Sequence, residues 1–261
     1  TCDLITGKMK QIGMEVEVYE TKNPNVPGST QPVIIGYLRG RKEKPLLCYN
    51  GHTDVVPVMH PDKWTSSPFS PVLRGGRLYG RGASDMKGGL GSMVMAAQAI
   101  ANAGVTLDGT LGVAAVPGEE TGGWGTESMV SRSKWDAAVI GEPTQLNICP
   151  ACNGITTFWI EVLGKSAHAS MPEMGINAID KMSKVLVAFE RYREDLTKRA
   201  HPLTGRPAFV SCIIDGGWRE VILADTCRLQ ITTHLVPGES AQQRYAEVVD
   251  LLEKIRQQDK D

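Results

Sequence analysis

The 261-residue chain has no surplus of charge of either sign: 28 Lys and Arg stand against 29 Asp and Glu, for a formal net charge of -1. A nucleic-acid binder usually shows a basic excess, and a polybasic membrane anchor or an acidic tail would also unbalance the count. Long apolar runs are missing too. The longest, such as Val113–Val116, fall far short of the roughly 20 residues that cross a bilayer. No charged-then-apolar leader opens the sequence, and the expectation is a protein that is not secreted. Its six cysteines are scattered, as expected of reduced cytoplasmic thiols and not of a disulfide scaffold. Gly-x-Ser-x-Gly is absent, which leaves a serine-hydrolase elbow unsupported. Cys149-Pro150-Ala151-Cys152 has redox or zinc-ribbon spacing but lacks a second pair, and is read as coincidental. What remains is a chain that is 41% hydrophobic and 22% charged, enough to build a core and too apolar for wholesale disorder.

The two ends look cut. There is no initiator Met, Thr1–Gln11 reads as the tail of a helix, and Leu251–Asp261 runs out through charge without a cap. The expectation is an internal piece of a longer protein.

Between the ends, two textures follow one another. Short apolar runs bounded by Pro, Gly and charge, at Glu15–Glu20, Val33–Leu38, Leu46–Asn50, Thr110–Val116 and Ala137–Ile140, read as strands. Residues 56–82 read as a long ordered loop, Lys87–Ala103 as a buried helix and Glu127–Ser133 as a short one. This alternation is the signature of a parallel sheet with helices on its faces. Beyond residue 148 the order becomes β-α-β-β-α, through Thr156–Leu163, Ile176–Glu190, Ala208–Ile214, Ile222–Leu235 and Glu239–Ile255. That is a ferredoxin-like split βαβ unit short of its last strand. The expected organisation is an α/β parallel-sheet domain over 1–148 and an α+β domain over 149–261, both incomplete.

Ionisable residues collect where the strands of the first part end. His52 and Asp54 follow one strand, Glu119 and Glu120 another, and Glu142 a third, while Asp85 precedes the buried helix. In an open parallel sheet, ligands bind outside the carboxyl ends of the strands. Two like charges at ~4 Å repel by about 4 kcal/mol at an effective dielectric of ~20, so such a crevice calls for cations. Imidazole with carboxylates suits zinc, although cobalt or manganese also fits such donors. His52 is then a candidate ligand, Asp54 a candidate partner for its other ring nitrogen, and Asp85 a bridge between two ions. Of Glu119 and Glu120, one would ligate while the other moves a proton. An isolated His-x-Asp or Glu-Glu is usually a solvated surface feature, and Asp85 alone could cap a helix; their shared placement at strand ends argues against that.

Five ordered runs carry a resemblance. Gly51-His52-Thr53-Asp54-Val55-Val56-Pro57, residues 80–89 (GRGASDMKGG), Pro117-Gly118-Glu119-Glu120, Gly141-Glu142-Pro143-Thr144 and residues 164–170 (GKSAHAS) resemble the co-catalytic zinc peptidases. That family includes acetylornithine deacetylase, succinyl-diaminopimelate desuccinylase, aminoacylase and carboxypeptidase G. The resemblance implies a zinc-hydrolase catalytic domain followed by a lid and dimerisation domain. It implies that His52 and Glu142 hold one zinc, Asp85 bridges, Glu120 binds the second zinc and Glu119 is the general base. It also implies that His168 reaches an active site from the lid, often across a homodimer, to steady the oxyanion. The substrate implied is an N-acyl amino acid or a peptide, in the cytoplasm, with no nucleic acid and no membrane. The family's last ligand, a histidine near the C-terminus, has no counterpart after Glu142, so the second zinc site is expected to be weak or empty. Residues 221–224 and 232–234 also depart from the family's pattern in the lid, and substrate contacts there do not carry over.

Overall fold

The alternation of apolar and polar residues in the first 150 positions becomes one five-stranded sheet. In the computed structural model, which describes residues 2–259, helix α1 (Cys2–Ile12) leads into strands β1 (Glu15–Lys22), β2 (Thr30–Leu38) and β3 (Leu46–His52). A small hairpin, β4 (Val72–Arg74) and β5 (Arg77–Tyr79), precedes helix α2 (Gly88–Asn102), strand β6 (Thr110–Val116), helix α3 (Trp124–Arg132) and strand β7 (Ala137–Ile140). The strand order is β1-β2-β6-β3-β7. The expected parallel pairing holds where β3 lies between β6 and β7. On the other side β1, β2 and β6 run antiparallel, so the sheet is mixed. The seven residues between β1 and β2 are too few for a crossover, and only a hairpin can join them.

Strand β6 is buried along its whole length, as expected for a strand covered on both faces. Leu111, Val113 and Ala115 pack with Met9 and Ile34 and with Leu90, Met93, Val94 and Ala97 of α2. Ala114 and Val116 face the other way, among Val33, Ile35, Cys48 and Met129. Helix α2 was expected to be buried; instead it buries one stripe at the three-and-four spacing and leaves Met95 half exposed. Its Ala and Gly residues lower the contrast between faces enough to hide the stripe.

A second compact unit begins at Ile148. Strands β8 (Gly154–Leu163), β9 (Ala208–Gly216) and β10 (Thr226–Leu235) form an antiparallel sheet in the order β8-β10-β9, with helices α4 (Ala178–Leu196) and α5 (Ala241–Gln258). Phe189, Phe209, Leu229, Ile231 and Val248 share its core. The order β-α-β-β-α is the expected one. Strand β10 is shorter than the expected Ile222–Leu235 run: Ile222 makes only an isolated bridge to His168. Helix α5 starts at a capping box in which Ser240 and Gln243 satisfy each other's backbone N–H.

Candidate metal centre

Register brings the strand-end residues together. His52 pairs with Val116 across β3 and β6, and Thr53 N–H extends that ladder by donating to the Val116 carbonyl at 2.8 Å. The turn after β6 therefore delivers Glu119 and Glu120 beside His52. On the other flank, Gly141 N–H donates to the Asn50 carbonyl at 3.1 Å, and Glu142 follows directly. Asp85 comes from the segment before α2. Its neighbour Met86 is fully buried, and its methyl fills the space where a Cβ on Gly51 or on Gly141 would come within 2.9 Å. Two side-chain-free positions thus seat the residue that holds Asp85 over the strand ends. The Asp85–Met86 peptide bond is cis.

The result is a histidine with its ring nitrogen among carboxylates. His52 is 1% exposed, and its Nε2 lies 3.0 Å from Asp85 Oδ1, 3.8 Å from Glu119 Oε2 and 3.8 Å from Glu142 Oε1. His52 with Glu119 and Glu142, and His52 with Asp85 and Glu120, form two groups whose ligand atoms all lie within 4.8 Å of one another. Nδ1 is 3.0 Å from the backbone carbonyl of Asp54 but 3.5 Å from its carboxylate. The tautomer-fixing partner expected of the Asp54 side chain is thus its main chain. A proton on Nδ1 leaves the Nε2 lone pair facing the carboxylates. The Asp54 carboxylate instead accepts the backbone N–H of Glu119 at 3.3 Å and of Glu120 at 3.1 Å, and so holds the turn that carries both. Glu120 Oε1 accepts the Val56 N–H at 3.2 Å.

The electrostatics are those of a crowded anionic pocket. Burial raises the Glu119 pKa, with Glu120, Asp54 and Asp85 adding to it and His52 opposing. Burial likewise raises that of Glu142, together with the charges of Glu119, Asp85 and Glu120. For His52, burial alone favours the neutral ring, but the Asp85 hydrogen bond, the Asp54 carbonyl and the surrounding carboxylates outweigh it and the pKa rises. Divalent cations would compensate the negative charge that these two groups of ligand atoms gather. One imidazole nitrogen with several carboxylate oxygens is a donor set that fits zinc, manganese or cobalt.

The other expectations fall out as follows. Asp85 does not cap α2, whose N-terminus carries no side-chain cap. His168 lies in the second unit and is exposed, and its Nδ1 sits 2.8 Å from Ser170 Oγ. Helix α4 is capped by Asn177 and not by this histidine. Trp124 is buried and donates to Thr121 Oγ1, while Trp64 stacks under the Arg81 guanidinium at 5.4 Å, so both pack loops. Cys149 and Cys152 are exposed. Cys48, inside β3, is buried, and its thiol pKa is pushed up to about 12. One residue at the site had not been singled out. Lys87 Nζ donates to the Thr53 carbonyl at 2.7 Å, and burial lowers its pKa. A basic residue at a helix N-terminus, against the helix dipole, is the signal that could have found it.

Comparison with known proteins gives a consistent picture. The family model for peptidase family M20/M25/M40 matches residues 48–258. The N-formyl-4-amino-5-aminomethyl-2-methylpyrimidine deformylase of Bacillus subtilis is 31% identical over 271 residues, covering 98% of this chain and 62% of the relative. A probable succinyl-diaminopimelate desuccinylase of Staphylococcus epidermidis is 38% identical over 139 residues, or 52% of this chain and 34% of that protein. Among solved structures, human carnosine dipeptidase 1 superposes with a TM-score of 0.73 at 19% identity, covering 97% of this chain and 67% of the other. The metallo-carboxypeptidase Sso-CP2 of Sulfolobus solfataricus gives 0.69 at 18%, over 97% and 70% of the two chains. These structural likenesses speak for the fold. The chain spans less than two thirds of the length of the curated relatives it matches.

Proposed function

Because the chain belongs to peptidase family M20/M25/M40, we propose that its first unit carries the centre of a metal-dependent hydrolase that cleaves the amide bond of an N-acyl amino acid or related N-acyl amine. The observation that carries this reading is the buried His52 Nε2 with carboxylate oxygens of Asp85, Glu119 and Glu142 at 3.0–3.8 Å. His52 and Glu142 would hold one divalent ion, Asp85 would lie between two, and Glu120 would hold the second; zinc suits the donors best. When bound, such ions polarise an amide carbonyl and acidify water. Glu119 is then the general base: it takes a proton from the attacking water and returns it to the leaving amine nitrogen. Asp54 keeps Glu119 in place through the turn that its carboxylate holds. His168, from the second unit, is assigned to the oxyanion and acts in a homodimer formed through that unit. The first unit, about 1–148, is then the catalytic domain and the second the lid.

An N-acyl substrate is favoured over a peptide because the two sequence relatives described above are named as a deformylase and a probable desuccinylase, and both names describe removal of an acyl group. Buried thiols at Cys48 and Cys227 suit a reducing, cytoplasmic setting. The test is amine release from N-formyl, N-acetyl and N-succinyl compounds, beside dipeptides, by the metal-loaded chain. Because the second metal site lacks a third protein ligand among the described residues, only slow hydrolysis of the N-acyl set is expected, with Glu119→Gln lowering that kcat by about 10²–10⁴-fold. Turnover of dipeptides alone would reassign the substrate. Bound metal without any turnover would leave a ligand-binding or dimerising module in place of an enzyme.

A further inference from the structure

Lys87 sits at the positive end of a helix dipole, which by itself disfavours a cation. It immediately precedes α2, whose N-terminus carries partial positive charge, and it is half-buried. A lysine in that position needs a compensating partner, and the structure supplies one. Its Nζ donates to the Thr53 carbonyl at 2.7 Å. Thr53 is the residue between His52 and Asp54, and its N–H already donates to the Val116 carbonyl. Both main-chain polar groups of Thr53 are thus engaged, one by the sheet and one by Lys87. The ammonium is fitted closely. Gly82 has φ +78, and a Cβ there would lie 2.6 Å from Val55 Cγ1 and 3.1 Å from Lys87 Nζ. The Lys87 N–H in turn donates to the Gly82 carbonyl at 2.9 Å.

We infer that Lys87 is a positioning residue of the metal centre: through the Thr53 carbonyl it fixes the short extended segment that aims His52 at the ions and Asp54 at the Glu119–Glu120 turn. The inference rests on reading that pocket as a metal site. Geometry and charge make opposite claims about Lys87, and this makes the role testable. The charges of Asp54, Glu120 and Asp85 act on the ammonium. If its charge were all that mattered, removing it would leave a more negative pocket that binds cations more tightly. If its hydrogen bond positions the ligands, removing it weakens binding although the pocket has become more negative.

The experiment titrates zinc ion against a chromophoric chelator in the metal-free whole chain, in Lys87→Met and in Lys87→Arg. It also records metal-free melting and the visible spectrum after cobalt(II) loading. Removal of a group that orients a ligand typically costs 10–100-fold in metal affinity, and a loss of about that size is expected in Lys87→Met, with shifted cobalt bands. Lys87→Arg keeps the charge but carries it on a longer, planar group that cannot reproduce the ammonium's single short bond to the Thr53 carbonyl, so it too is expected to bind zinc more weakly. Should Lys87→Met fail to melt cooperatively, Lys87→Arg carries the test alone, and zinc binding equal to the parent chain's would overturn the inference. Equal or tighter binding in a folded Lys87→Met would also overturn it, as would unchanged affinity and spectrum with only a lowered melting temperature. If the parent chain itself binds no zinc, the reading of the pocket fails first, and the Lys87 role fails with it.

Discussion

Arg244 is 1% exposed, in the second unit, and its buried guanidinium is matched by polar partners. It donates to Thr233 Oγ1 at 3.0 Å and to Glu239 Oε2 at 2.8 Å, and it lies 3.6 Å from Glu247. Removing one member of such a buried set strands the others, at a cost of about 3–5 kcal/mol. Arg244→Ala is therefore expected to lose stability on that scale in urea unfolding, and a loss under about 1 kcal/mol would count against the network. Glu247 makes a separate claim about pH. Burial raises its pKa, but the Tyr192 hydroxyl and the Arg199 guanidinium donate to it, and together with Arg244 they bring the folded value below the usual 4.5. A depressed carboxylate stabilises the fold above its unfolded pKa, and this contribution is lost as pH falls through the folded one. The chain should lose stability below about pH 4.5, and Glu247→Gln should remove part of that slope. An unchanged slope in melting measured against pH would refute the assignment.

Among the elements, Met86 links packing to the site. Its side chain fills the space left by Gly51 and Gly141, and its neighbour is Asp85. Met86→Ala is expected to cost about 2–5 kcal/mol, as other large-to-small core changes do, and to weaken metal binding as well, because Asp85 loses its footing. Denaturant unfolding of the metal-free chain, paired with zinc titration, checks both; loss of stability with full metal affinity would separate the two roles. The strands that deliver His52, Glu119 and Glu142 were legible in the sequence because each is a short apolar run closed by glycine or proline before its ionisable residue. The β1–β2 hairpin was not read as antiparallel, because strand direction follows from connection length and not from the residues in the run. The β4–β5 hairpin was hidden by its three-residue strands, although its Gly75-Gly76 turn, with φ +57 and +73, carries a hairpin signal. The Asp54 carbonyl escaped because a sequence shows side chains and not which backbone group a ring will meet. Lys87 escaped because its partner is also main chain.

For the molecule as a whole, we propose that Asp85, Glu119, Glu120 and Glu142 crowd around the buried His52 because divalent cations bind among them. Binding confined to the folded state stabilises it by about 2.7 kcal/mol when free ligand is 100 times Kd. The direct measurement compares melting and retained metal in the chelator-stripped chain, the zinc-loaded chain and a zinc-loaded Glu142→Gln variant, after dialysis. Zinc retained by the parent chain with a clear rise in melting temperature, both diminished in the variant, is the result expected. Identical melting in the stripped and loaded chains, with no ion retained, would contradict the account.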